Sequence, residues 1–403
     1  MKLSLLLIFV VLVAAEARPK DATDELIAVA VLFRHGDRTI IETYPNDPYK
    51  DRSNWPVGWG QLTNGGKKRQ YELGKWFRAR YADFLNETYS EDDIYVRSSD
   101  VDRSLMSAEA NLAGLYPPKG SMIWNKTLLW QPIPVHVVPR ATDNVLRMSK
   151  PCPKYEQMAR AFSTGTLVSS IIAENQKWFD YCTEKTGTDF TTLTNFQTLH
   201  DVLKVEKEQF GFKLPEWTSQ VYPTITKNLS GLSFAMPAYN ADLARLKIGP
   251  LFNFIFTHFE GVLNNRYTYQ LRDEYVPPTQ KFLMLSAHDT TVAYALQAMK
   301  NFDNEQPPYA STVIFELRGD RTAPYLNVLY KKNEELIKVV LEGCDFDCDY
   351  QKFIGLMGNV TIDNETWEKE CAYVEPNDNS SDGLKLSFSL ILGLFLLNFV
   401  FFR

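Results

Sequence analysis

The chain has 403 residues, a formal net charge of −6 at pH 7, and the apolar, aromatic and charged content of a globular protein. Its length fits one large domain or two coupled domains. Because the net charge is negative and no run of Lys or Arg stands out, the composition argues against a nucleic-acid partner or another polyanion-binding surface.

The first residues predict a secretory signal peptide over residues 1–17. Lys2 precedes the apolar run Leu3–Ala15, and the small-residue pattern Ala15–Ala17 stands before Arg18. The run is too short to span a bilayer and is followed by soluble-looking sequence rather than by a stop-transfer pattern. We therefore expect the chain to enter the secretory route.

Two strand–loop–helix units are predicted in the first part of the chain. Leu26–Phe33 is a continuous aliphatic run followed directly by charged residues, which is typical of a fully buried strand. The spacing of apolar residues over 63–85 predicts an amphipathic helix. The second unit has a short strand at 94–96 and a helix at 100–115, which we expect Ser99 and Asp100 to cap.

Between residues 139 and 262 the strand signals fade, and helical, aromatic-rich segments dominate. This change predicts an inserted, mostly helical cap subdomain that covers one rim of the binding pocket. The flanking segments 18–138 and 263–376 are expected to form one α/β core.

The third unit and the segments after it complete the predicted sheet. Residues 281–287 form a strand, followed by a helix through Met299. Short β-rich runs at 312–317, 324–330 and 336–341 then predict an antiparallel meander, with a turn at Arg318–Asp320. The predicted class is α/β, an open doubly wound mixed sheet, in which ligands bind beyond the carboxyl ends of the strands.

The last segment, 377–403, is expected to be a linker and a hydrophobic anchor. A polar stretch of small residues precedes the apolar run Leu386–Phe402, and only Arg403 follows it. This order is typical of a lipid-anchor addition signal. A single-pass helix is the alternative, although the run is near the lower limit for spanning a bilayer. The chain is thus expected to be extracellular or at the cell surface, with the lysosome as a further destination.

Six Asn-x-Ser/Thr sequons accompany the secretory signal and make the chain a candidate glycoprotein. They begin at Asn86, Asn125, Asn228, Asn359, Asn364 and Asn379.

The chemistry is expected to lie in Arg34–Thr39, directly after the first strand. Arg34 and Arg38 place two guanidinium groups beside the imidazole of His35, and guanidinium forks match phosphate oxygens. An imidazole in this setting can attack phosphorus to form a phosphohistidine that water later resolves. The alternative is a solvated charged loop without a function. Charged side chains at the end of a buried strand, however, must either bind a ligand or be neutralised by a partner.

A second pair of polar residues ends the third strand. His288 is expected to bind phosphate, and Asp289, when protonated, to donate its proton to the departing alkoxide. Asp289 would also serve as an ordinary N-terminal capping residue of the helix that follows, and the dipeptide alone leaves both interpretations open.

In this order, the motifs resemble those of the histidine acid phosphatases. Arg34–Arg38 matches the family's nucleophile motif, and Ser286–Thr291 looks like its second signature. The likeness continues through segments that cover nearly the whole predicted ectodomain: Trp55-Pro56, Gly60–Thr63, Leu73-Gly74, Arg97–Arg103 and Trp130–His136. The resemblance implies that Arg103 is the third phosphate-binding guanidinium and that Arg97 is structural.

The resemblance also implies a function. It indicates an acid phosphatase that hydrolyses small-molecule phosphate monoesters with His35 as nucleophile and Asp289 as proton donor, without a metal or an organic cofactor. An acid pH optimum is expected from the family, and relatives often form homodimers. The first alternative is a secreted, non-catalytic member of the same fold that scavenges small mediators, and the second is a mutase or phytase that shares the Arg-His-Gly motif.

The five cysteines favour disulfide pairing in an oxidising compartment. Cys344 and Cys348 are close enough in sequence to close a small loop, Cys152 and Cys371 can tie the middle of the chain to its end, and Cys182 is left over. A metal site is the rival interpretation, but no neighbouring His supplies further ligands. The family's disulfide framework fits the same two pairs.

Overall fold

The computed structural model describes residues 25–271 and 274–372. The predicted signal peptide, the segment 377–403 and the sequon at Asn379 lie outside these residues. Within the described part of the chain, none of the helices has the length and apolar character needed to cross a membrane.

The strands form an eight-stranded mixed sheet and a separate two-stranded one. The strands are β1 Leu26–Arg34, β2 Ile94–Ser99, β3 His136–Val138, β4 Thr268–Leu271, β5 Glu274–Val276, β6 Phe282–Ala287, β7 Thr312–Asp320, β8 Ala323–Lys332, β9 Glu335–Val339 and β10 Cys348–Asp349. The large sheet has the order β10-β8-β7-β1-β6-β2-β3, and β9 pairs with β8. The pairs β1–β6, β6–β2 and β2–β3 are parallel, whereas β7 to β10 add antiparallel neighbours. The predicted α/β class with a mixed sheet is confirmed.

The helices of the described residues fill the intervals between these strands. They are α1 Asn64–Arg80, α2 Asp102–Leu115, α3 Pro153–Ser163, α4 Thr166–Glu174, α5 Gln176–Thr186, α6 Leu193–Lys204, α7 Thr224–Ala235, α8 Ala241–Lys247, α9 Gly249–Leu263, α10 Asp289–Ala298, α11 Tyr350–Leu356 and α12 Asn364–Ala372.

The central strand β1 is buried on both faces. Successive side chains of a strand point to opposite faces, so Val29, Val31 and Phe33 pack in a cluster with residues of α1 and α2. Ala28, Ala30 and Leu32 pack in a second cluster with residues of α9 and α10. Burial of each large apolar side chain contributes about 1.5–3 kcal/mol. Helices on both faces explain why the strand sequence is aliphatic without alternation.

Two local predictions are wrong. Ser99 and Asp100 do not cap α2, because β2 continues through Ser99 and the cap position falls on Val101, which makes no side-chain cap bond. Arg318–Asp320 is not a turn but the end of β7, where Arg318 pairs with Tyr325.

Helices α3 to α9 lie in the segment predicted as the cap, and the bounds 139 and 262 stay a prediction. An aromatic cluster fills part of this segment, with Phe179 packing edge-on against Phe196 and Trp55 against Phe210. This cluster supports α6, the helix that reaches the site described below.

The cysteines are arranged as the family resemblance implies. The structure joins Cys152, just before α3, to Cys371 in α12, and joins Cys344 to Cys348. Cys182 is buried in α5 as a free thiol, and burial raises its pKa to about 12.

The sequons within the described residues face solvent to different degrees. Asn86, Asn228, Asn359 and Asn364 are exposed, and Asn125 is half-buried. Glycosylation at these positions stays a prediction.

Candidate active site

The site lies beyond the carboxyl ends of β1, β6 and β2, which are adjacent in the sheet. Arg34 at the end of β1 pairs with Ala287 at the end of β6, so His35 and His288 follow side by side. Their ring centroids are 5.7 Å apart. Arg103 reaches the same place from the first turn of α2, and the topology thus brings together the six residues expected to bind phosphate or catalyse.

His35 is held as a neutral imidazole. Its Nδ1 lies 2.8 Å from the carbonyl oxygen of Gly36. Because a carbonyl can only accept, Nδ1 carries the proton and Nε2 keeps its lone pair. Burial, followed by the charges of Arg103 and Arg34, holds the pKa of His35 well below its usual value. Nε2 is therefore the nucleophilic atom.

The loop that carries His35 is packed too closely for any larger residue at Gly36. A Cβ there would lie 2.4 Å from the carbonyl oxygen of Gly66 in α1. The Gly36 amide also donates to Ser107 Oγ in α2 at 3.0 Å. The helix walls on both sides fix the loop and, with it, the imidazole.

Arg103 donates from Nε to His35 Nε2 at 3.0 Å. Burial, and then the Arg38 charge, lower the pKa of Arg103 to about 10, so the guanidinium stays charged at neutral and acid pH. Any phosphate oxygen that binds this donor releases the lone pair of His35 for attack.

Arg34 and Arg38 are almost fully buried, and each has a carboxylate partner. The Nη2 atom of Arg34 lies 3.0 Å from Oδ2 of Asp289, and its Nη1 donates to the Pro307 carbonyl at 2.6 Å. Arg38 binds Asp201 of α6 through two bonds of 2.9 and 3.0 Å. The Tyr309 ring lies 3.9 Å from the Arg34 guanidinium carbon and supports it by a cation–π contact.

Asp289 lies in the pocket. It does not cap α10, because the cap position of that helix is occupied by His288. Burial raises the pKa of the Asp289 carboxyl, but the charges of Arg34 and Arg38 outweigh burial and hold that pKa below its usual value. The Gln306 amide donates to Asp289 Oδ2 and to Asp201 Oδ1, each at 3.1 Å. Asp289 is therefore a carboxylate.

His288 is buried, and its Nε2 lies 2.9 Å from Ser99 Oγ at the end of β2. Burial, with the charges of Arg103 and Arg147, holds the pKa of His288 well below its usual value. The Ser99 hydroxyl can donate to Nε2, and in that arrangement the neutral imidazole carries its proton on Nδ1 and can donate from it.

These groups open into a cavity of about 240 Å³. One part is lined by Arg38, Arg103, His288 and Asp289, and another by residues of α6 and of the loop after β1. Arg147, from the loop before α3, also lines it.

Four residues of the site were not anticipated from the sequence: Asp201, Gln306, Tyr309 and Arg147. Each belongs to the predicted cap or to a loop between elements, and none stands in a recognisable motif. The only clue was the general expectation that a helical cap covers one rim of the pocket.

Arg97 and two further histidines lie away from the pocket. Arg97 is buried and pairs with Asp143 at 3.0 Å, which fits a structural role. His136 stacks on Tyr95 at 4.8 Å between ring centroids, and His200 binds Thr226 Oγ1 at 3.0 Å. Within the described residues there is no group of three or more His, Cys, Asp or Glu side chains that could hold a metal ion.

Comparison with known proteins gives concordant results. Residues 25–341 match the model of the histidine phosphatase superfamily (branch 2). The chain is 36% identical to lysosomal acid phosphatase of Xenopus laevis over 378 residues, covering 92% of this chain and 84% of that protein. It is 35% identical to human prostatic acid phosphatase over 367 residues, covering 89% and 91% respectively. Among solved structures, a phytase of Hafnia alvei in complex with tartrate superposes with a TM-score of 0.64 at 18% identity, covering 85% of this chain and 98% of that one.

Proposed function

Because this chain belongs to the histidine phosphatase superfamily (branch 2), we propose that it is an acid phosphatase that hydrolyses phosphate monoesters through a phosphohistidine on His35. The observation that carries the proposal is the neutral imidazole of His35, whose Nε2 lone pair lies among three guanidinium groups. Such cations stabilise the charge on a transferring phosphoryl group.

In the first step the phosphoryl group is transferred from the substrate to His35. Arg34, Arg38 and Arg103 bind the phosphoryl oxygens, and His288 donates a further hydrogen bond from Nδ1. His35 Nε2 forms a bond to phosphorus while the bond from phosphorus to the ester oxygen breaks. Asp289 delivers its proton to that oxygen, so the leaving group departs as a neutral alcohol.

The protonation of Asp289 links this step to acid pH. Arg34 and Arg38 keep Asp289 ionised against the effect of burial. A bound phosphate neutralises these cations, so burial then dominates and raises the pKa of Asp289. We expect the protonated, active complex to form as the pH falls, which gives an acid optimum.

The second step returns the enzyme to its starting state. Asp289, now a carboxylate, takes a proton from a water molecule whose oxygen forms a bond to phosphorus. The bond from phosphorus to Nε2 breaks, its electron pair returns to the imidazole, and inorganic phosphate leaves. The Nδ1–H bond to Gly36 keeps the imidazole in the same tautomer throughout.

The proposed substrates are small-molecule phosphate monoesters, and the proposed site uses neither a metal nor an organic cofactor. The names of the relatives favour the secretory pathway or the lysosome. The lipid anchor, the glycans and a homodimer are carried forward from the sequence as predictions.

The test is hydrolysis of p-nitrophenyl phosphate from pH 3 to 8, with and without EDTA, by the wild type and by His35→Ala and Asp289→Asn. We expect chelator-resistant activity at acid pH, with no turnover above background for His35→Ala. A matched control is His136→Ala, which removes an imidazole outside the pocket and is expected to leave activity near that of the wild type. Rapid quenching in base with ³²P-labelled substrate should trap an alkali-stable, acid-labile phosphoenzyme only when His35 is present.

The possible outcomes separate the competing functions. An inactive wild type that still binds small anions would overturn the enzyme proposal in favour of a binding-only protein. Activity that survives in His35→Ala would mean that another residue is the nucleophile. A preference for inositol hexakisphosphate over aryl and nucleoside monophosphates would indicate a phytase.

A further inference from the structure

Arg147 is a cation of the cavity whose role the proposed mechanism leaves open. It lies between β3 and α3, is half-buried, and lines the same cavity as His288 and Asp289. Its backbone amide donates to Asp143 Oδ2 at 2.9 Å, and Asp143 is itself buried in an ion pair with Arg97. The backbone that carries Arg147 is therefore fixed relative to the sheet.

Among the described residues, the guanidinium of Arg147 differs from the other three in having no hydrogen-bond or ion-pair partner. Arg34 faces Asp289, Arg38 binds Asp201, and Arg103 donates to His35. For Arg147, the described part of the chain supplies no side-chain hydrogen bond or ion pair, and its Nε is buried without an acceptor. Burial, and then the charge of Arg140, lower its pKa. A partly desolvated cation without an acceptor is unfavourable, so an anion that binds it is stabilising.

The position of Arg147 indicates which part of a substrate it meets. The proton donor Asp289 has to lie next to the ester oxygen, so the leaving group extends from Asp289 into the cavity. Arg147 lines that cavity and acts electrostatically on both His288 and Asp289. The transferred phosphoryl group already has three guanidinium groups, which leaves Arg147 for the leaving group.

We propose that Arg147 forms an anion subsite for the leaving group and selects small monoesters that carry a carboxylate or a second phosphate near the ester oxygen. This inference rests on the proposed phosphatase function. The guanidinium fork matches either anion, and the cavity of about 240 Å³ suits a short leaving group. Glu42, at the rim, accepts from Thr198 Oγ1 of α6 at 3.0 Å and disfavours a long anionic chain on that side.

The test compares two substrates that differ in one anionic group, 2-phosphoglycolate and ethyl phosphate. We expect Arg147→Gln to lower kcat/KM for 2-phosphoglycolate by about tenfold to a hundredfold, as expected for a lost charge-assisted bond. The loss should be smaller for ethyl phosphate, which has no second anion to bind Arg147 and loses only the electrostatic effect of Arg147 on His288 and Asp289. Arg147→Lys should restore part of the preference because it restores the charge. Arg140→Gln is the matched control, since it removes a nearby cation that does not line the cavity.

Binding supplies a readout that does not depend on turnover. Calorimetry of both ligands with His35→Ala, and with the double variant that adds Arg147→Gln, should show the same selective loss for 2-phosphoglycolate. Equal losses for both ligands, or none, would overturn the subsite. Failure of the proposed function has a different signature, because the wild type would then turn over neither ester while the binding experiment still decides the role of Arg147.

Discussion

Asp201 and Glu206 lie close together in the chain, the first partly buried and the second fully buried, yet their surroundings have opposite electrostatic effects. Asp201, in α6, binds Arg38 through both oxygens; burial raises the pKa of Asp201, but Arg38 outweighs it and the net pKa is lowered. Glu206, in the π-helical turn after α6, faces Asp47 instead of a cation. Burial, and then the Asp47 charge, raise its pKa to about 9. One carboxyl is thus an anion of the active site, and the other is a neutral acid of the fold.

The contact of Glu206 with Asp47 depends on a proton. Asp47 is buried and already accepts hydrogen bonds from Thr43 Oγ1 and from the Tyr49 amide. Burial, and then Glu206, also raise the pKa of the neighbouring Tyr44. Two ionised carboxylates without a cation between them would be strongly destabilising. Glu206 therefore holds a proton beside Asp47, and acid conditions favour that state.

The largest expected effect comes from removing the charge of Asp201. Asp201→Asn leaves Arg38 buried without its counter-charge, and we expect the free energy of unfolding to fall by about 3 kcal/mol near pH 6. The folded-state pKa of Asp201 is lowered, so its contribution is present above the unfolded pKa and is lost as pH falls through the folded value. Urea unfolding at pH 6 and pH 3 should therefore show a deficit that shrinks at pH 3.

The exposed Asp83, changed to Asn, is the control for this variant and should change stability little at either pH. A deficit for Asp201→Asn that is the same at both pH values would contradict the ion-pair explanation. The variant should also lose kcat/KM, because Arg38 would no longer be held toward the phosphate.

Glu206→Gln tests the other carboxyl group, whose contribution to stability depends on pH in the opposite direction. The folded-state pKa of Glu206 is raised above the unfolded value of 4.5, so its stabilisation is complete below about pH 4.5 and is lost as pH rises toward 9. Between pH 5 and pH 7 the wild type should lose about 2 kcal/mol of stability through this group. Glu206→Gln cannot ionise and should lack that slope.

Parallel urea titrations at pH 5 and pH 7 measure the slope for Glu206→Gln, with the exposed cap residue Glu216 changed to Gln as the matched control. If Glu206→Gln and the wild type lose stability equally with pH, the Asp47–Glu206 contact is not a protonated pair.

The same contrast explains what the sequence revealed. The ends of β1 and β6 were predictable because polar residues directly after buried strands have a pattern that chemistry can interpret, and His35 and Asp289 follow from it. Arg103 was implied only by the family resemblance. Asp201 and Gln306 could not be predicted. They reach the pocket only through the packing of α6 and of the loop before β7, and a lone carboxyl in a helix has no signal for its partner.

Ser99 shows how a local rule fails at a functional position. A Ser-Asp pair before a helix usually caps it, but here β2 runs on through Ser99 and its hydroxyl binds His288. A cap can be recognised from neighbouring residues alone. The contact between Ser99 and His288 cannot be recognised in this way, because His288 follows β6 and the contact depends on the register between β2 and β6.

The smallest expected effect belongs to that contact. In the proposed mechanism the Ser99 hydroxyl donates to His288 Nε2 and the proton stays on Nδ1, so Ser99→Ala lets the imidazole adopt the other tautomer and lose its bond to phosphate. A lost neutral hydrogen bond of about 1 kcal/mol corresponds to roughly a fivefold rise in KM for p-nitrophenyl phosphate. Inhibition by inorganic phosphate should weaken by the same factor.

The control is Ser98→Ala. Ser98 lies on the same strand and its hydroxyl binds the Ser99 carbonyl, so this variant should affect stability without raising KM. Equal KM values for the two variants would mean that Ser99 supports the fold and does not set the tautomer of His288.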